Sequence, residues 1–139
     1  MSVTDRAAIR DVDPTLVSYT HIIYALHATS VLIGVLGAPT VVGGFLLGIP
    51  SIIAVIMNYV RRSDVRGTWL DSHFSWQIRT FWFTALWVVL IALISLVLLP
   101  LLGLGIVVFF VAFALLALWL IYRVVRGWLR LRDRKPMYV

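Results

Sequence analysis

The amino-acid sequence predicts an all-α membrane protein whose four transmembrane helices form two hairpins. Of its 139 residues, 62% are hydrophobic and only 13% are charged, whereas about a quarter of the residues in a soluble domain are charged. Two long stretches, 14–60 and 80–122, contain no Asp, Glu, Lys or Arg. One helix needs about 20 residues to cross the hydrocarbon core, so each stretch has room for two crossings and a turn. Neither stretch shows the alternation of a membrane barrel strand.

The four predicted spans have the length that a bilayer requires. They are expected at about 14–36, 40–60, 80–99 and 106–126. Together they form one transmembrane domain, 14–126. Asp13 is a suitable N-cap for the first span, and Pro14 is a suitable first helical residue. In the second span, Gly48 and Pro50 predict a kink or, alternatively, a short re-entrant piece.

The basic residues predict that both termini are cytoplasmic. All 12 of them lie in the N-terminal segment 1–13, in the linker 61–79, or in the end of the fourth span and the basic tail 127–139. Neither hairpin turn contains one. Short loops rich in Lys and Arg stay in the cytoplasm, so an even number of crossings places all three segments on that side. We expect the first span to be retained and not cleaved as a signal peptide.

The linker 61–79 predicts a further helix. Thr68 and Asp71 have the spacing of a capping box, with Asp in the place of the usual Glu, so a helix is expected to begin near Trp69. Apolar and polar side chains fall on different sides of this helix. It is therefore either an amphipathic helix on the cytoplasmic membrane surface or a cytoplasmic extension of the third span.

Several short motifs resemble those of a widespread family of bacterial four-helix membrane proteins of unknown function. The motifs are His27, Gly48-Ile49-Pro50, the basic and acidic end of the second span (Arg61, Arg62, Asp64), Asp71-Ser72-His73 and Gln77. This family is distantly similar to the Tic-type subunit of the chloroplast inner-envelope protein import apparatus. The resemblance implies a multi-pass protein of the bacterial inner membrane and suggests a role in translocation. It implies no catalytic residue.

Three side chains place ionisable groups inside the first span. His21 and His27 each lie three residues from Tyr24, so each histidine can be its neighbour on the helix. One hypothesis is a proton relay, a metal site or a haem site, with the two histidines as ligands. The other is hydrogen bonding between helices near the cytoplasmic surface. We favour the second, because a metal site usually has three or more clustered ligands.

A second polar cluster is expected around the linker. Its candidate members are Tyr24, Arg61, Arg62, Asp64 and Gln77. Asp71 and His73 are candidate metal ligands, or an acid–base pair. The alternative is a salt-bridged loop that pins the two hairpins together, and we favour it because no nucleophile or oxyanion hole accompanies the pair.

Two glycines and the tail predict contacts with helices and lipids. Gly44 and Gly48 form a GxxxG motif, which predicts close packing of the second span on the first, with dimerisation as the alternative. Anionic lipid headgroups are expected to bind the basic tail, each basic residue contributing about 1 kcal/mol. The tail residues concerned are Arg126, Arg130, Arg132, Arg134 and Lys135. Nucleic acid is not an expected partner, because the tail has few aromatic residues for stacking.

No set of residues in the sequence matches a catalytic pattern, and the sequence contains no cysteine. We therefore predict a non-enzymatic membrane protein without a cofactor. It is expected to act as a subunit, assembly factor or scaffold through helix contacts with other membrane subunits or with copies of itself. The first alternative is a small transporter, channel or translocon-like component that works as an oligomer. The second alternative is a histidine-ligated metal or haem protein.

Overall fold

The computed structural model of the chain is all-helical, which confirms the predicted class. It describes residues 12–37 and 41–137, apart from the side chains of residues 41–47. Within these residues the chain forms four helices. They are α1 (Pro14–Gly37), α2 (Val41–Val60), α3 (Trp69–Leu98) and α4 (Leu104–Arg132).

Three of the four helices, α1, α3 and α4, are long and apolar enough to cross a membrane. By the length and composition of these helices, the chain is a multi-pass membrane protein. The part of α2 whose side chains are described, Gly48–Val60, is a shorter apolar segment. Helix α2 continues through Pro50 as one helix from Val41 to Val60.

Helix α1 begins next to the expected N-cap. The carboxylate of Asp13 accepts a hydrogen bond of 2.8 Å from the backbone N–H of Thr15. This bond, from an amide that has no partner inside the helix, lowers the pKa of Asp13 below its ordinary value. The cap is therefore ionised near neutral pH, next to the positive end of the helix dipole.

Helix α3 shows that the linker helix and the third span are one element. The helix begins at Trp69 and runs without a break to Leu98, so the linker helix extends the third span. Thr68 occupies the N-cap position, but its hydroxyl makes no cap hydrogen bond and donates instead to the carbonyl of Val65. Packing holds this extension in place, because Leu70 lies fully buried on its inner face.

Helix α4 continues past the predicted end of the fourth span, to Arg132. Tertiary contacts explain the extra turns, because Gly127 and Leu131 are both buried against the rest of the bundle. The chain then folds back across the start of α3. There the backbone N–H of Met137 donates to the hydroxyl of Ser72 over 2.9 Å, and the Met137 side chain is buried.

The core lies at one end of the bundle, which we call the linker end, where α3 begins and the segment after α4 folds back. Helix α1 packs mainly on α2 and also on α4, and α3 packs mainly on α4. The core includes Ile23, Tyr24, Leu70, Phe74 and Leu131. Toward the other end, α3 and α4 leave their apolar side chains uncovered. In the most apolar segment of each of these two helices, only 11% of the residues are buried. This is expected for surfaces that face lipid or other helices.

Glycine occupies two special positions where α3 is followed by α4, one in the turn between them and one in the first turn of α4. Gly103 has a φ of 74°, in the left-handed region that favours glycine. At Gly105 a Cβ atom would overlap the backbone carbonyl of Ser95, so the first turn of α4 lies directly against α3.

Candidate functional site

His73 lies at the centre of the linker end and connects three parts of the chain. Its Nδ1 is 2.9 Å from the hydroxyl of Tyr24 on α1, and its Nε2 is 2.8 Å from the carbonyl oxygen of Lys135. A carbonyl oxygen only accepts, so Nε2 carries a hydrogen, and in the neutral ring Nδ1 accepts from the tyrosine hydroxyl. Both side chains are buried, and the ring of Trp69 meets the imidazole edge-on. This histidine is therefore a structural link.

His21 joins α1 to α4 in a similar way. The indole N–H of Trp128 donates to His21 Nδ1 over 2.9 Å. The neutral ring then carries its hydrogen on Nε2. This is the arrangement that the hypothesis of interhelical hydrogen bonding predicts.

His27 differs from the other two histidines. Its Nδ1 lies 3.2 Å from the hydroxyl oxygen of Ser51 on α2. Its Nε2 is buried and has no hydrogen-bond partner among the described residues. The ring is only 6% exposed, so this nitrogen is not satisfied by bulk water either.

A cavity of about 270 Å³ lies beside His27, with all four helices contributing to its walls. Its polar lining includes His27 and Ser30 from α1, Ser51 from α2, and Thr80 and Thr84 from α3. The remaining walls are almost entirely apolar. Polar groups therefore face this space mainly from α1, α2 and α3.

The polar cluster expected around the linker is divided into a buried and an exposed part. Tyr24, His73 and Gln77 are buried, and the amide atoms of Gln77 have no partner in the described part of the chain. In contrast, Arg61 and Asp64 form a half-exposed ion pair of 3.0 Å within the turn after α2. A pair within one turn joins no two helices, whereas the histidine contacts join α1 to α3 and to α4.

The candidate metal ligands are not assembled into a site. Asp71 is half-buried on the first turn of α3, and both ring nitrogens of His73 already have partners. Residues 12–37 and 41–137 contain no group of three or more His, Asp or Glu side chains that could hold a metal ion. The hypothesis of a histidine-ligated metal stays a prediction.

Helices α1 and α4 approach closely at Gly127, which the sequence patterns did not indicate. Among the described side chains, a Cβ atom at Gly48 would meet only Ile52 of its own helix, at 3.8 Å. Gly44 lies where side-chain surroundings are not described. At Gly127, however, a Cβ atom would lie 2.5 Å from the hydroxyl oxygen of Tyr24. Gly127 has no small partner four residues away, so the only available signal was a glycine inside a helical run.

Arg123 is a second residue whose role the sequence did not reveal. Its guanidinium carbon lies 3.7 Å from the ring centre of Trp76, and its Nε donates to the hydroxyl oxygen of Thr80 over 2.7 Å. The indole N–H of Trp76 in turn donates to the Arg123 carbonyl. These contacts join α3 to α4 at the two ends of the uncharged stretch 80–122.

Three of the five basic tail residues line a shallow cleft at the linker end. The cleft has a volume of about 590 Å³ and includes Arg126, Arg130 and Lys135, the carboxylate residue Asp133, and apolar side chains of α4. Arg132 pairs with the neighbouring Asp133, and Arg134 is exposed on the segment after α4. Basic groups beside an apolar surface suit a lipid headgroup and its attached chain.

Comparisons of the chain with protein-family models, with curated proteins and with solved structures find no match. The resemblance to the bacterial family related to the Tic-type subunit stays a prediction.

Proposed function

We propose that this protein is a non-enzymatic subunit or scaffold of the membrane that acts through its helices. One observation carries the proposal: the apolar surfaces of α3 and α4 are left uncovered by the bundle. Leu93 on α3 and Leu118 on α4 are among the exposed side chains. A partner of this surface is another membrane helix, either from a different subunit or from a second copy of this chain. Helices associate in membranes by such packing.

The arrangement of the histidines also supports a structural role. His21 and His73 use their nitrogens to join α1 to α4 and to α3. Groups that are fixed by hydrogen bonds inside the frame are less available for acid–base chemistry. The same contacts give the bundle a rigid end from which α3 and α4 extend.

Crosslinking from single positions tests the proposal. A photoreactive amino acid is placed at Leu93 or Leu118, and a control is placed at Ile22, which is exposed on α1. Irradiation of membranes is expected to link the first two positions to a discrete membrane polypeptide or to a second copy. The control position is expected to give mainly lipid adducts. Lipid adducts alone at all three positions would contradict a role in helix contacts.

We further propose that α2 is the fourth crossing, that the helices form two hairpins, and that both termini face the cytoplasm of a bacterial cell. The distribution of basic residues supports this topology. Because the sequence has no cysteine, single introduced cysteines can report the topology. In intact cells, an impermeant maleimide is expected to label L102C in the turn between α3 and α4. R66C in the linker is expected to react only after the membrane is opened, and the reverse pattern would invert the topology.

We also propose that anionic lipids bind at the tail cleft. The positions of Arg126, Arg130 and Lys135 beside apolar side chains support this role. Replacing the three by Gln is expected to reduce the amount of anionic phospholipid that co-purifies in mild detergent. Replacing the exposed Arg62, Arg66 and Arg79 by Gln provides a control of equal charge change.

A further inference from the structure

A carboxylate lies among the basic residues of the tail cleft. Asp133, the residue that directly follows α4, lines the cleft together with Arg126, Arg130 and Lys135. A carboxylate repels the phosphate of an anionic lipid, so it weakens a cleft that binds phosphate alone. It strengthens the cleft when the same ligand also carries a group that donates a hydrogen bond to it.

The side chain of Asp133 is accessible to such a group. It is 46% exposed, and its Oδ1 accepts from Nε of Arg132 over 3.4 Å. This distance is longer than that of an ordinary N–H···O hydrogen bond, and the Arg132 side chain is itself 70% exposed. An exposed ion pair of this kind contributes little free energy. A ligand in the cleft can therefore bind the carboxylate at little cost.

The lining of the cleft follows the order of the parts of a phospholipid. Ile121 and Val125 come first along α4, and they are 41% and 49% exposed. Arg126 and Arg130 follow toward the linker end, and Asp133 comes after them. A helix rises about 1.5 Å per residue, so Asp133 lies about 4.5 Å beyond Arg130 along the axis. In the topology proposed above, this order corresponds to acyl chain, phosphate and headgroup.

The charge of the cleft favours a hydroxyl group over an ammonium group as the donor to Asp133. Its three cations outnumber this carboxylate, so the lining is positive. A headgroup ammonium beside Asp133 would be repelled by Arg130 and Lys135, which line the same cleft. A hydroxyl is uncharged and still donates one hydrogen bond. Because the acceptor is ionised, that bond is stronger than one between neutral groups.

We propose that the tail cleft selects an anionic phospholipid whose headgroup carries hydroxyl groups, and that Asp133 recognises these hydroxyls. The lipid phosphate contacts Arg126, Arg130 and Lys135, and a headgroup hydroxyl donates to the carboxylate of Asp133. Phosphatidylglycerol has this chemistry. The inference rests on the lipid binding proposed above and adds to it the choice of headgroup.

Lipid titration of the purified full chain in mild detergent, followed by native mass spectrometry, tests the proposal. Phosphatidylglycerol and phosphatidylethanol with the same acyl chains carry the same phosphodiester charge, but the second has no headgroup hydroxyl. We expect phosphatidylglycerol to bind about tenfold tighter, which corresponds to one hydrogen bond to a charged group. Phosphatidylserine, which offers an ammonium group, is expected to bind more weakly than phosphatidylglycerol. Tighter binding of phosphatidylserine would overturn the assignment to hydroxyls.

Replacing Asp133 by Ala tests the assigned residue. D133A is expected to bind phosphatidylglycerol and phosphatidylethanol equally, because the carboxylate that distinguishes them is gone. D64A is the matched control, because Asp64 is also half-exposed and paired with an arginine but does not line the cleft. It is expected to keep the preference. Equal binding of the two lipids by the unaltered protein, or a full preference in D133A, would overturn the proposal.

Two further measurements separate the headgroup choice from the lipid binding on which it rests. Replacing Arg126, Arg130 and Lys135 by Gln is expected to weaken both lipids together. When it does so but the unaltered protein shows no preference, lipid binding stands and the headgroup assignment is wrong. When it weakens neither lipid, both proposals are wrong. Soluble glycerol phosphate is expected not to displace phosphatidylglycerol, because it has no acyl chain, and displacement would overturn the assignment to a lipid.

Discussion

The hydroxyl of Tyr24 lies 2.9 Å from Nδ1 of His73, and this one hydrogen bond joins α1 to α3 inside the linker end. The same tyrosine packs against Gly127 of α4, where no side chain separates the two helices. On its other nitrogen, His73 holds the carbonyl of Lys135. Three helices and the segment after α4 therefore meet around two side chains.

Replacing Tyr24 by Phe is expected to destabilise the bundle by about 1–3 kcal/mol, because it leaves a buried imidazole nitrogen without its partner. The change keeps the aromatic ring and removes only the hydroxyl. Thermal unfolding in detergent, followed by circular dichroism, measures the effect. Y122F is the matched control, because Tyr122 is exposed and its hydroxyl accepts a hydrogen bond from the exposed Arg126. An equal loss in both variants would refute a special role for Tyr24.

Replacing Gly127 by Ala is expected to cost about 1–3 kcal/mol, because the added Cβ atom would lie 2.5 Å from the buried hydroxyl of Tyr24. The control is G48A, whose Cβ atom would make an ordinary van der Waals contact with Ile52, at 3.8 Å. Alanine favours a helix over glycine by about 0.5–1 kcal/mol, so G48A is expected to be as stable as the unaltered protein or more so. Unfolding temperatures of the two variants check this contrast. The prediction fails when G127A is the more stable of the two.

Replacing Arg123 by Lys is expected to lower stability by about 1–2 kcal/mol although the charge is kept. The flat guanidinium lies over the ring of Trp76 and also donates through Nε to Thr80, and an ammonium group does not reproduce both contacts. Unfolding in detergent measures the loss. R132K is the control, because Arg132 is mostly exposed. A similar small change in both would mean that Arg123 matters only as a positive charge.

Replacing Met137 by Asp is expected to detach the segment after α4 from the start of α3. The Met137 side chain is buried, and burying a carboxylate in its place is costly. Detachment removes the carbonyl of Lys135 from Nε2 of His73, so modification of His73 by diethyl pyrocarbonate is expected to increase several-fold. Mass spectrometry measures it, with His27 as an internal reference. K135D, at an exposed position, is expected to leave the reactivity of His73 low. High reactivity of His73 in both variants would mean that the added negative charge, and not detachment of the segment, causes the increase.

The helices could be predicted because a membrane span is recognised locally, as an uncharged apolar stretch of about 20 residues. The uncharged stretches contain α1, α2 and most of α3 and α4, and the start of α3 at Trp69 was also predicted. In contrast, the extension of α4 to Arg132 was not predicted. It depends on the contacts of Gly127 and Leu131 with residues distant in sequence, and no local pattern contains that information.

The contrast between local patterns and contacts of distant residues also applies to the candidate functional site. The sequence identified His27 and Gly48 as residues of interest, because a histidine and a helical GxxxG are visible locally. The cavity that they share could not be predicted, because it is a space between four helices. Nor could the environment of His73 be predicted, since its partners Tyr24 and Lys135 come from opposite ends of the chain.

The contact between Gly127 and Tyr24 also restricts how the chain can diverge. A larger residue at position 127 is compatible with this packing only when position 24 becomes smaller. A smaller residue at position 24 would in turn remove the hydrogen-bond partner of His73. Among related sequences, positions 24, 73 and 127 should therefore change together, and a sequence with Gly at position 127 should usually keep an aromatic residue at position 24.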